Sequence, residues 1–180
     1  MSDGVSRNLE PLMGHRVPWH DLMPFTETQQ GVAARFEKMA AEYKDRPAVI
    51  CEGRATSYHE LNSRANGIAR LIVGRIGEDF APAALLLDFD ESMVAAVYGA
   101  LKAGKAYVPL DPLHPVARLR YMLDDSTAPL LITNAANMDL ARAIAPPHVE
   151  IAEVEESSGL SGDANLSLAV SPDTLGWILY

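Results

Sequence analysis

Asp88 and Asp90 alternate at the end of the apolar stretch "ALLLDF". Residues two apart on an extended chain face one side, so the pair could hold Mg²⁺ through carboxylate oxygens. The plainer alternative makes Asp90 the cap of a following helix and leaves Asp88 in water. Asp124 and Asp125, in "DDSTAP", have the composition of an ordinary turn. The histidines at 15, 20, 59, 114 and 148 are dispersed, with no pair at metal-binding spacing. Cys51 lies in an apolar run and reads as a small buried side chain. No G-x-S-x-G elbow, no G-x-G-x-x-G after a strand and no G-x-x-x-x-G-K-[ST] occurs. If a ligand binds at the carboxyl ends of parallel strands, Asp90, Asp111 and Asn134 are the positions to watch.

The elements that would position these groups follow from periodicity. Val32, Phe36, Met39 and Tyr43 recur at helical spacing until Pro47. "AVICEGRATSYHEL" predicts two short strands around Gly53, running into a helix. Ser57 and Glu60 form an S-x-x-E capping box for that helix. Leu61, Ala65, Ile68 and Ile72 give it a buried face, with Asn62, Arg64 and Arg70 expected toward water. From Ala84 onward strands and helices alternate. "ALLLDF" and "PLLIT" are near-continuous apolar runs, as strands buried on both faces require, and "AYVPL" is the strand between them. Between them lie the helix "ESMVAAVYGALKA", closed by a left-handed Gly104, and a helix opened by Pro115 with Leu119, Met122 and Leu123 inward. "ANMDLARAIA" predicts a further short helix and "VEI" one more strand. The class is α/β, with parallel strand–helix alternation. Residues 1–27, with Trp19 among scattered prolines and polar residues, read as an irregular leader making one anchoring contact, and 28–180 as an incomplete subdomain. Residues 150–171 within it have linker chemistry. "DTLGWILY" reads as a core strand.

The chain has 180 residues, 48% hydrophobic and 22% charged, the balance of a globular domain. Its net charge of −9 argues against nucleic acid. No apolar run is long enough for a membrane span and no signal-peptide core is present. A single cysteine fits a cytoplasmic protein.

"ATSYHELNSRANGIARLI" and "LKAGKAYVPLDPLHPVARLRYMLDDSTAPLLIT" resemble the first two core motifs of adenylate-forming enzymes, and most resemble the amino-acid-activating adenylation domains of nonribosomal peptide synthetases. The likeness covers Phe36 to Thr133 and resumes at the last apolar run. Ser57, Tyr58, Glu60 and Leu61 match the first motif. Lys102, Ala103, Gly104, Tyr107, Val108, Pro109 and Asp111 match the second, and the resemblance implies that both are scaffold rather than catalyst. Lys105, His114 and the turn "DFDES" depart from the usual pattern. The resemblance implies a ligase that forms an aminoacyl-adenylate from ATP and Mg²⁺, then loads the phosphopantetheine thiol of a carrier protein. Tyr180 matches the tyrosine preceding the phosphate loop "TSG-[ST]-TG-x-PKG". The expectation is therefore an inactive N-terminal fragment, stopping just short of the nucleotide site and partnered by the remainder of its adenylation domain. The initial Met1 and irregular leader add the expectation of a stand-alone or initiating module. The alternative is a non-catalytic binding or assembly module that completes its sheet with a partner chain.

Overall fold

The computed structural model describes residues 31–180; the leader through residue 27, with Trp19, lies outside the described residues. Helix α1 (Val32–Glu42) precedes a hairpin of β1 (Pro47–Cys51) and β2 (Arg54–Ser57). Cys51 pairs with Arg54 across a two-residue loop, Glu52 and Gly53. Both loop residues have positive φ, 50° and 80°, the type I′ geometry whose twist suits a hairpin. The long helix α2 (Tyr58–Ile76) starts directly from β2.

Its start is the capping box expected. Ser57 N–H donates to Glu60 Oε2 at 2.8 Å, and Glu60 N–H donates to Ser57 Oγ at 3.2 Å. The bond from the Ser57 backbone holds the Glu60 carboxyl below its ordinary value. Ser57→Ala should lower stability by about 1 kcal/mol, measured by urea titration. The contribution of Glu60 is full above its unfolded value, about pH 4.3, and is lost as pH falls through the lowered native one.

Strand–helix alternation then builds the main layer: β3 (Ala83–Leu86), α3 (Glu91–Lys102), β4 (Tyr107–Leu110), α4 (Val116–Ser126) and β5 (Leu130–Thr133). A 3₁₀ turn (Ala135–Asn137), α5 (Met138–Ile144) and β6 (Glu150–Glu153) follow. The four strands stand in the order β4-β3-β5-β6 with every neighbouring pair parallel. Within residues 150–171, β6 is followed by a 3₁₀ helix (Val154–Leu160) and then irregular chain.

Burial explains the apolar runs. Leu85, Leu87, Leu130 and Ile132 face one core with α1, α2 and α3. Ala84, Leu86, Val108, Leu110 and Leu131 face a second core with α4 and α5. A strand covered on both faces cannot show polar alternation. Two glycines let elements approach closely. A Cβ on Gly67 would lie 2.6 Å from the Ser157 carbonyl oxygen, and one on Gly99 would lie 2.6 Å from Ile68 Cγ2.

The segment expected as a final core strand differs. Tyr107 N–H donates to the Gly176 carbonyl and Ile178 N–H to the Tyr107 carbonyl, both at 3.0 Å. This yields one isolated parallel bridge, Tyr107 with Trp177. Ile178 packs on the second core, while Leu175, Trp177, Leu179 and Tyr180 are exposed. In parallel pairing, alternate residues bond to opposite neighbours, so after Tyr107 the next donor toward this segment would be residue 109. That residue is proline and has no N–H, so the ladder loses its next rung.

Candidate functional site

The carboxyl end of the sheet gathers the polar residues of the strand-to-helix loops, and the structure shows what each does. Asp90 Oδ1 accepts from Ser92 N–H at 2.8 Å and from Met93 N–H at 3.2 Å, capping α3. Asp88 is exposed and accepts from Asn137 Nδ2 at 3.1 Å. The two aspartates are therefore not a ligand pair: one closes a helix, and the other meets an amide from the β5–α5 loop. Asn134 Oδ1 accepts from Asn137 N–H and Nδ2, each at 3.0 Å. Asp111 Oδ1 accepts from Leu113 N–H at 2.9 Å, and buried Thr133 Oγ1 donates to the Leu86 carbonyl at 3.0 Å. These bonds shape a rim of short loops. Among the described residues, no group of three His, Cys, Asp or Glu side chains could hold a metal ion. His59 lies 3.6 Å from Asp163, His148 is exposed, and Cys51 is half-buried and free.

Beyond the bridge of Trp177 to Tyr107, the last segment brings Tyr180 against the later turns of α4. Its hydroxyl donates to Asp125 Oδ2 at 2.8 Å, and its ring meets Tyr121 edge-on at 6.1 Å. Partial loss of water around the hydroxyl, reinforced by Asp125, pushes the Tyr180 phenol up to about 12.

The two sequence motifs occupy other ground. Ser57 and Glu60 cap α2, Leu61 is in the first core, and the Tyr58 ring lies 6.3 Å from Phe36. Gly104 turns the chain out of α3 at φ 69°, Ala103 is buried, and Tyr107, Val108 and Pro109 form β4. Asp111 thus lies at the carboxyl rim and Tyr180 against α4, while Lys102 to Gly104 sit at the amino end. There Lys102 and Gly104 border a groove of about 120 Å³ with Val32, Leu168, Val170 and Gly176.

Lys102 is the most constrained charge. Its side chain has no solvent exposure, and Nζ donates to Glu37 Oε1 at 2.6 Å, Asn66 Oδ1 at 2.9 Å and Asn165 Oδ1 at 3.0 Å. An ammonium has three donors, and all three are used. Burial pushes the lysine down from its ordinary value, against the opposing pull of Glu37. Lys105 is also buried and donates to the Asp79 carbonyl across the α2–β3 loop. Glu37, Asn66 and Asn165 were not singled out from the sequence; the one local signal was the spacing of Asn62, Asn66 and Arg70, a stripe along α2.

The described residues therefore do not fit a magnesium nucleotide. They contain no glycine-rich cradle, and the rim carboxylates Asp90 and Asp111 are committed to backbone caps. What this part can do chemically is hold the loops and the 176–180 segment in place.

Comparison with known proteins accounts for that division. The sequence pattern of the AMP-binding enzyme family matches residues 36–175. Tyrocidine synthase 3 of Brevibacillus parabrevis is 37% identical over 145 residues, 80% of this chain and 2% of that protein. Gramicidin S synthase 2 of Brevibacillus brevis is 31% identical over 152 residues, 84% of this chain and 3% of that protein. The crystal structure of the nonribosomal peptide synthetase FmoA3 superposes with a TM-score of 0.75 at 24% identity, over 82% of this chain and 16% of its own. The N-terminal subdomain of Klebsiella oxytoca NpsA gives 0.72 at 16% identity, over 84% and 38%; these two likenesses show the fold. The chain spans a few per cent of the length of those two synthases. The capped scaffold described above, matched by family over residues 36–175, belongs to the AMP-binding enzyme family and corresponds to the N-terminal portion of an adenylation domain.

Proposed function

We propose that this chain is part of an amino-acid-activating ligase of the nonribosomal peptide synthetase kind. The observation that carries the reading is the 37% identity to tyrocidine synthase 3 along 80% of the chain. In this reading the complete enzyme joins a carboxylate to the α-phosphorus of ATP, with Mg²⁺, and passes the aminoacyl group to a carrier protein's phosphopantetheine thiol. Residues 31–180 supply none of the groups that would touch the phosphates. Their part is to position, through the sheet and the Tyr180–Asp125 contact, the segment that the resemblance places beside the phosphate loop. Remainder of the adenylation domain and carrier protein are the partners, and a cytoplasmic setting follows from the same reading. Among the described residues, no helix is long and apolar enough to cross a membrane.

Amino-acid-dependent ATP–pyrophosphate exchange tests this. The 180-residue chain alone should give no exchange, and a longer chain carrying the Thr-Ser-Gly loop and C-terminal lobe should exchange with an amino acid. Exchange by the 180 residues alone would overturn the assignment of catalysis to other parts. A longer chain active with fatty or aryl acids and silent with amino acids would overturn the substrate class.

A further inference from the structure

Residues 161–175 contain neither helix nor strand, yet they carry the chain from α2 across the amino end of the sheet to the edge beside β4. Their first part has little apolar anchorage: within 161–166, Leu166 is the side chain that packs on the first core. Polar bonds hold the rest, and they come from one stripe of α2. Arg70 donates to the Leu160 carbonyl at 2.8 Å and to the Ala164 carbonyl. Asn66 Nδ2 donates to the Gly162 carbonyl at 2.8 Å, and Asn62 Nδ2 to Asn165 Oδ1 at 3.0 Å. Asn62, Asn66 and Arg70 are four residues apart in turn, so they share one helix face. Gly67 beside them leaves room for the Ser157 carbonyl.

The fourth donor is Lys102. Its ammonium is where α1 (through Glu37), α2 (through Asn66) and this strap (through Asn165) meet. Beyond Asn165 the strap stays in contact. Leu166, Leu168 and Val170 line the groove at the end of α3, and Thr174 N–H closes a turn onto the Ser171 carbonyl at 3.0 Å. Gly176 follows, and its carbonyl accepts from Tyr107. With Pro109 withholding the next rung, the edge segment has few bonds of its own to fix its place.

We infer that Asn165 is a positioning residue: its side-chain oxygen, held by Lys102 and Asn62, latches the strap so that residues 176–178 keep their register beside β4. The latch deepens the functional reading above, because Tyr180 lies at the end of the segment it positions. Its test reads the backbone and does not depend on that reading.

Amide hydrogen exchange of the 180-residue chain, followed by NMR, is the measurement. Asn165→Ala removes the strap's acceptor and leaves Glu37, Lys102 and Asn66 joined. The Tyr107 and Ile178 amides should lose about tenfold or more of their protection, the scale of a lost hydrogen bond to a charged group. The Leu85 and Ile132 amides in β3 and β5 should keep theirs. Asn165→Asp retains an acceptor for both donors and should restore protection at Tyr107 and Ile178. Unchanged protection at Tyr107 and Ile178 in Asn165→Ala overturns the latch. So does an equal loss at Leu85 and Ile132, which would mean only a general loss of stability, or an Asn165→Asp variant that behaves like alanine. Absence of amino-acid-dependent exchange in a longer chain would strike the functional reading and leave these amide results standing.

Discussion

Lys102→Met lowers the stability of the chain by about 3–5 kcal/mol, the range for breaking a buried ion pair from one side. Methionine keeps most of the lysine's apolar stem, so little packing is lost and the effect isolates the ammonium. Two groups are stranded. Glu37 is left with its charge, but its side chain is 24% exposed and water relieves part of that penalty. Asn66 is fully buried, so its Oδ1 loses its partner with no water to replace it, at about 1–3 kcal/mol. The balance of these terms keeps the expected value inside the range. Urea titration measures it, with an unchanged m-value as the sign that only stability moved. Removing the stranded charge as well, in Lys102→Met with Glu37→Leu, should recover a substantial part of the loss. That non-additivity is the mark of a shared network. A single-variant loss below about 1 kcal/mol, the level of an exposed pair, would mean that the ammonium is not holding three elements together.

The same lysine shows where reading the sequence works and where it stops. β3 and β5 are legible because burial on both faces leaves an unbroken apolar run, a local signature. The Ser57–Glu60 box, the Asp90 cap, the turn at Gly53 and the left-handed Gly104 are also local, each defined within four residues. Asn62 and Arg70 were expected toward water because they are polar and off the Leu61–Ile72 face. Both are half-buried, and they bind chain that comes about 90 to 100 residues later. No local pattern records where those carbonyls will lie. The edge segment fails in the opposite way. Its composition is that of a buried strand, but burial depends on neighbours, and Pro109 in β4 limits the pairing it can make. The candidate rim suffered from the same ambiguity: an aspartate after a strand is equally suited to a cap or a ligand, and here Asp90 and Asp111 are caps.

Gly99→Val should destabilise by about 3 kcal/mol, at the upper end of what overpacking a core interface costs. Gly99 lies on α3 where it crosses α2. Even a Cβ there would lie 2.6 Å from Ile68 Cγ2, 2.7 Å from Ile68 Cβ and 3.2 Å from the Ala65 carbonyl oxygen. Ile68 is β-branched and fully buried, so it has no free rotamer to turn into; the helices themselves must separate. Leaving glycine gains up to about 1 kcal/mol of helix propensity, which is smaller than the clash. Gly74, on α2, gives the control. Nothing lies within 4 Å of a Cβ built there, so Gly74→Ala keeps the propensity gain without a clash and should stabilise by about 0.5–1 kcal/mol. Thermal unfolding separates the two, since 1 kcal/mol shifts Tm by about 2–4 °C in a chain of this size. Opposite signs at Gly99 and Gly74 establish that the α2–α3 contact sets the requirement for glycine. A Gly99→Val variant as stable as Gly74→Ala would mean that the two helices can move apart freely, and that the first core does not depend on their close approach.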